Sequence, residues 1–142
     1  MMKILIKTPI ARDYQSVFKL FDLKLFKALK PPLIKLVVER FDGCKKGDEV
    51  HLNVSGKRWV SHITEYVENE DEIYFIDVGV IIPTPLTSWK HIHRIERTGL
   101  NSCNVVDEIY FSTGNQLLDK LVYPAITAMF LLRKPVYKRE LS

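Results

Sequence analysis

Cysteine is scarce in this chain. Cys44 and Cys103 are the only two, too few for a disulfide framework, and neither falls in a metal-binding spacing. That excludes a stapled extracellular scaffold and a cysteine zinc site, and a reducing, cytoplasmic setting fits best. Glycine is also sparse, with six residues scattered at turns, so no glycine-rich loop can cradle a phosphate. Ser61 has no Gly-x-Ser-x-Gly frame, which argues against a nucleophilic-serine hydrolase. Long apolar runs are missing. The longest, Leu121 to Leu132, has about twelve residues, against the roughly twenty that cross a bilayer. Met1 to Lys7 lacks the apolar stretch and cleavage site of a signal peptide. Neither a membrane span nor a removed leader is expected.

A strong charge excess is absent as well. The balance is 21 basic against 17 acidic residues, net +4, too small and too dispersed to imply a nucleic-acid partner. Lys24, Lys27, Lys30 and Lys35 form one loose basic surface, and Arg133, Lys134, Lys138 and Arg139 form another. Solvated faces are the plain reading of both. Attraction toward anionic lipid or an acidic partner is the other.

What is present is a globular composition, 46% hydrophobic and 27% charged, at a length suited to one domain over residues 1–142. Met2 to Thr8 alternates apolar and basic residues and reads as a strand stopped by Pro9. Asp13 and Asp22 are N-caps for two short helices, the first with Val17, Phe18 and Phe21 inward, the second with Leu25, Phe26 and Leu29. Pro31 and Pro32 end the second. Strand candidates follow at Leu33–Phe41, Glu49–Val54, Arg58–Val67, Ile73–Val80, Ser88–Arg97 and Cys103–Phe111. The turn signals between them are short, so the strands form an antiparallel meander. After Gly114-Asn115 a helix is expected from about Gln116 to Arg133. Leu117, Leu118, Leu121, Val122, Ala125, Met129 and Leu132 form its apolar stripe, bent at Pro124, and Lys134-Pro135 end it before a short basic tail.

The densest chemistry lies in Trp89-Lys90-His91-Ile92-His93 and in Val105-Val106-Asp107-Glu108-Ile109. On strands, side chains two apart share a face, so Trp89, His91 and His93 form one row and Val105, Asp107 and Ile109 another. Imidazoles and a carboxylate among apolar groups suggest a lined interior pocket.

The element order resembles the helix-grip arrangement of the START-like, or SRPBCC, superfamily, nearest its small bacterial polyketide cyclase or dehydratase-like members. The resemblance in element order covers nearly the whole chain. The resemblance in wording covers about a quarter, in Phe75-Ile76-Asp77, Pro85-Leu86-Thr87-Ser88-Trp89-Lys90-His91-Ile92-His93 and Asp107-Glu108-Ile109-Tyr110. It implies an α+β fold in which a curved antiparallel sheet of about seven strands wraps a long C-terminal helix around an elongated cavity. With strand parity set by Trp89, the expected lining is Trp59, Ser61, Phe75, Asp77, Trp89, His91, His93, Asp107, Ile109 and Met129. One bulge would reverse part of that set.

Such a cavity would bind or carry a small hydrophobic molecule: a lipid, a polyketide or an aromatic metabolite. The alternative is a cyclase or dehydratase in which His91 or His93 moves protons with Asp107. His-x-His with Asp107 as a third ligand could chelate zinc, but the pattern is short and common by chance. No metal and no cofactor are expected. His51 and His62 stand alone on other strands and read as surface or ordinary core residues.

Overall fold

The computed structural model describes residues 1–142. Its elements are β1 (Met2–Ile10), α1 (Tyr14–Lys19), α2 (Leu23–Ala28), β2 (Leu36–Phe41), β3 (Glu49–Val54), β4 (Lys57–Glu68), β5 (Glu72–Ile81), β6 (Ser88–Gly99), β7 (Ser102–Ser112), α3 (Gln116–Leu131) and α4 (Arg133–Leu141). The strands form one antiparallel sheet in the order β1-β7-β6-β5-β4-β3-β2. This is the α+β helix-grip fold, with two short helices after β1 and the long helix packed on the sheet.

Local chemistry explains the elements. Asp13 and Asp22 cap α1 and α2, accepting from the Ser16 and Leu25 amides at 2.9 and 3.0 Å. Ser55 and Gly56 both take positive φ, 51° and 86°, which matches the right-handed twist of the β3–β4 hairpin. Two register shifts between β4 and β5, at Val60/Ser61 and Ile63/Glu65, leave Val80 of β5 and Thr64 of β4 as extra residues and bend the sheet. Beyond the second, Tyr66 rather than Glu65 takes the inner face and packs against Phe18. Trp59, Ser61 and Ile63 precede that shift and keep the expected parity.

Three expectations are corrected. Strand β1 continues through Pro9 to Ile10, because it is an edge strand paired only with β7, where a residue without an N–H is tolerated. Leu33 to Lys35 lie outside β2, and Leu33 sits exposed at φ 68°. The long helix ends at Leu131, near its expected end, but no short basic tail follows, because α4 begins at Arg133. Pro135 occupies the first turn of α4, where its missing N–H has no intrahelical partner to lose.

The face α3 buries also differs. Leu117, Leu121, Ala125 and Leu132 point outward, Leu118, Val122 and Met129 are half-buried, and Asp119, Ile126 and Phe130 are buried. The rotation is fixed at the helix start. The Asp119 carboxylate accepts from both the Thr113 amide and its hydroxyl at 2.6 Å, and Asn115 caps the Leu118 amide. Helix α3 packs on β1 and β7, and α4 on β1.

The interior has two apolar clusters. One gathers Ile10, Val17, Leu25, Ile95, Val105, Tyr137 and Leu141. The other gathers Ile4, Trp89, Ile109, Phe111, Ile126 and Phe130. Along β6 the row runs Trp89, His91, His93, Ile95. Along β7 it runs Ile109, Asp107, Val105, and along the helices Phe130, Arg133, Tyr137. A polar layer is therefore sandwiched between the two clusters on three separate elements.

Candidate functional site

Between the helices and β3 to β6 lies a cavity of about 360 Å³, walled mainly by apolar side chains. Its size falls within the range of roughly 300–1,000 Å³ typical of small-molecule sites. Eight of the ten residues expected from the sequence face it: Trp59, Ser61, Phe75, Asp77, Trp89, His91, His93 and Met129. Asp107 and Ile109 do not. Both lie on the inner face of β7, but Ile109 is packed under Phe130 and Ile126 in the second apolar cluster. Asp107 is covered by α4 through Tyr137 and Arg133.

Strand register builds the polar layer. Across β5–β6, Asp77 stands opposite His91 and Phe75 opposite His93. Across β6–β7, His91 stands opposite Ile109 and His93 opposite Asp107. The hydrogen bonds take the diagonals. His91 Nε2 meets Asp107 Oδ1 at 2.8 Å, and His93 Nε2 meets Asp77 Oδ2 at 2.5 Å. His91 Nδ1 lies 3.8 Å from the same Asp77 oxygen. The two imidazoles stack with centroids 3.6 Å apart, and His93 stacks on Phe75 at 4.4 Å. The carboxylate among the histidines on the cavity side is thus Asp77. Asp107 supports His91 from behind.

Burial strongly shapes the charge states. His91 is pushed down to about 4 by burial and by the neighbouring His93, which outweigh its hydrogen bond to Asp107. Burial alone would raise Asp107, but the His91 hydrogen bond and the Arg133 charge overcome it and leave the carboxyl at about 2. In Asp77, burial is likewise overcome by the hydrogen bond and charge of His93, and its carboxyl is lowered. Near neutrality Asp107 is a carboxylate and His91 is neutral. Its Nε2–H donates to Asp107, which leaves the Nδ1 lone pair on the Asp77 side. Tyr137, pushed up by burial and by the Asp107 charge, stays protonated and donates to Asp107 Oδ1 at 3.3 Å.

Arg133 is expected from the sequence on a solvated basic face at the end of the long helix. It instead lines the cavity, its guanidinium 3.4 Å from Asp107 Oδ1 and 3.3 Å from the Tyr137 hydroxyl, over the Phe130 ring. The spacing Ile126, Phe130, Arg133, Tyr137, Leu141 is a helical stripe, visible once the helix is carried across Pro135. The second short helix and the residues flanking it also contribute Phe21, Leu25, Phe26 and Leu29 to the wall. Cys44 reaches it too, but its thiol is pushed up to about 12 by burial, so it is no nucleophile near neutrality. His51 and His62 pair with Glu49 at 2.9 and 3.4 Å, away from the cavity. The donor atoms of Asp77, His91 and His93 lie within 4.8 Å of one another, a group able to hold a metal ion.

Fold and site together define a helix-grip protein whose apolar cavity closes on a buried histidine–aspartate layer. No family model and no curated protein matches the sequence. Solved structures share the fold over nearly the whole chain. A hypothetical protein from Helicobacter pylori superposes with a TM-score of 0.74 at 11% identity, covering 99% of this chain and 88% of its own. A Bacillus thuringiensis protein gives 0.69 at 15% identity, covering 97% of both chains. Norcoclaurine synthase from Thalictrum flavum, in complex with dopamine and hydroxybenzaldehyde, gives 0.66 at 17% identity, covering 96% of this chain and 83% of that one. One structural neighbour of this chain is therefore an enzyme. No helix in the present protein is long and apolar enough to cross a membrane.

Proposed function

We propose that the protein binds or carries a small, largely apolar molecule in its internal cavity, such as a lipid, a polyketide or an aromatic metabolite. The observation that carries this reading is a cavity of about 360 Å³ with apolar walls and one polar layer. The walls supply buried area for affinity, and a few convergent polar groups fix orientation. Trp59 and Trp89, edge to face at 5.1 Å, offer flat surface to a ring or acyl chain. Ser61, Asp77, His91, His93 and Arg133 supply the donors and acceptors. Two free thiols, buried Cys103 raised to about 11 and half-buried Cys44 to about 12, suit a reducing, cytoplasmic setting. Loading from an anionic membrane surface through the lysines of α2 is part of the same reading.

Both tryptophans of the chain line the cavity, so intrinsic fluorescence reports its occupancy directly. Titration with an apolar aromatic probe is expected to shift or quench that emission saturably. Native mass spectrometry of protein from cells is expected to find an apolar compound bound. Silence in both measurements would remove the proposal.

One observation favours a second reading, a cyclase or dehydratase. His91 is held through Nε2 by a buried carboxylate and keeps Nδ1 free near the cavity, which is how a general base is oriented. Norcoclaurine synthase supports only the compatibility of this fold with catalysis.

A further inference from the structure

We infer that Asp77, His91 and His93 bind one divalent transition-metal ion of the zinc class, through Asp77 Oδ2, His91 Nδ1 and His93 Nε2. This goes beyond the ligand-binding proposal and rests on the geometry of the cluster alone. The sequence pattern made Asp107 the third ligand. The register replaces it with Asp77, and that exchange turns a chance His-x-His into a site with an outer shell.

The donor set comes first. Two imidazoles and one carboxylate suit zinc and its first-row neighbours better than magnesium or calcium, which prefer all-oxygen ligands. Tetrahedral bonds of roughly 2.0–2.1 Å set neighbouring donor atoms about 3.3 Å apart. Here the carboxylate oxygen is 2.5 Å from His93 Nε2 and 3.8 Å from His91 Nδ1, and all three donors lie within 4.8 Å. The two rings are stacked with centroids 3.6 Å apart, so the ion replaces the Asp77–His93 hydrogen bond and His93 turns out of the stack to bring its lone pair to the ion.

The support around the donors is the second observation. A metal-bound histidine almost always gives its other ring N–H to a carboxylate or carbonyl, which fixes the tautomer. His91 Nε2 already stands 2.8 Å from Asp107 Oδ1. Asp107 is in turn held by Tyr137 and Arg133. His93, held only by its stacks on Phe75 and His91 and by its bond to Asp77, is the ring left to turn. Ser61, accepting from Trp59 Nε1 at 2.8 Å, backs Asp77.

Charge and access complete the case. The Arg133 guanidinium faces Asp107, so its charge is balanced and Asp77 is left as the anion for the metal. All three ligands line the cavity, which places the remaining coordination position on the ligand side. This is the open arrangement of a metal that meets a substrate or water, and it differs from the closed one of a structural zinc.

The test uses chelator-stripped full-length protein, titrated with Zn²⁺ by calorimetry and with Co²⁺ by visible absorption. One ion per chain is expected, with the intense d–d bands of a four-coordinate Co²⁺ site. Asp77→Asn and His93→Ala should abolish tight uptake, Asp107→Asn should weaken it about 10–100-fold, and His62→Ala should leave it unchanged. Absence of one-to-one uptake in the wild type overturns the inference. So does uptake that survives Asp77→Asn, or uptake lost in His62→Ala, which would put the ion on the Glu49 surface cluster. Circular dichroism of each variant separates a lost site from a lost fold, and the wild-type titration decides the matter if a variant unfolds. Tryptophan quenching by an apolar probe is read in parallel, so failure here is distinguishable from failure of the cavity proposal.

Discussion

Asp107 meets His91 on the inner side of the sheet, yet it does not line the cavity. A carboxylate facing His91 was legible from the alternation of β6 and β7. Which acid faces the cavity was not, because it depends on diagonal contacts across two strand pairs. The acid instead anchors His91, Arg133 and Tyr137 through a single oxygen, Oδ1, while Oδ2 has no protein partner. Removing one member of a buried charged set leaves its partners uncompensated. Asp107→Asn is therefore expected to cost about 3 kcal/mol in urea denaturation. The same layer sets the pH dependence. In the unfolded chain His91 binds its proton near its usual value of about 6.5, and in the fold it does so only near about 4. Below the unfolded value the unfolded state holds more protons, so stability falls as pH drops from about 6.5 toward 4. Asp107, at about 2 in the fold, adds a further loss between its usual value near 4 and 2. In chelator-containing buffer the urea midpoint should decline steadily on acidification from pH 7 to pH 4. His91→Gln should flatten the upper part of that decline, and an unchanged profile in that variant would refute the assignment.

At the scale of elements, strands were read more securely than helices. Strand parity has a period of two, and Trp89, His91 and His93 cannot drift from one another unless a bulge intervenes. The register shift beyond Ile63 on β4 falls after the residues that matter. Helix α3 had no such protection. Leucines at 117, 121 and 132 formed a regular apolar stripe, yet a neighbouring stripe of Ile126, Phe130 and Tyr137 makes the core. The deciding contact, Thr113 to Asp119, links two polar residues that an apolar pattern ignores. Pro135 then concealed α4, and with it Arg133 and Leu141, because a first-turn proline and a helix-ending proline look alike in one sequence. The two phases make opposite forecasts. Leu141 is fully buried and Leu121 is 67% exposed. Leu141→Ala should destabilise by about 3 kcal/mol, within the range for buried leucine truncation, and Leu121→Ala by less than about 0.5 kcal/mol. Equal losses by thermal or chemical denaturation would mean the helix is rotated from the face described.

For the whole molecule, topology was legible because every strand boundary carried a turn signal and Pro31-Pro32 separated α2 from the sheet. The hollow was not deducible from periodicity, which cannot tell a stripe packed on a sheet from one lining a space. It follows from how the chain ends: α3 and α4 rest on β1 and β7, while α2 leans in from the other side with Leu25, Phe26 and Leu29. The outer face of α2 then acquires a meaning that the lysine count alone lacked. Lys24, Lys27 and Lys30 are exposed on the segment whose inner side walls the cavity, with Leu23 and Leu33 exposed beside them. Each lysine near an anionic bilayer contributes about 1 kcal/mol of attraction, and exposed leucines add apolar contact at the headgroup boundary. An apolar cargo would then pass between bilayer and cavity without a long path through water. The attraction is screened, since the Debye length falls from about 30 Å at 0.01 M salt to about 3 Å at 1 M. Sedimentation with phosphatidylserine vesicles should accordingly show binding at low salt that high salt releases. The double reversal Lys24→Glu and Lys27→Glu should abolish it while tryptophan quenching by an apolar probe persists. Vesicle binding indifferent to both salt and reversal would detach the basic surface of α2 from any role in loading the cavity.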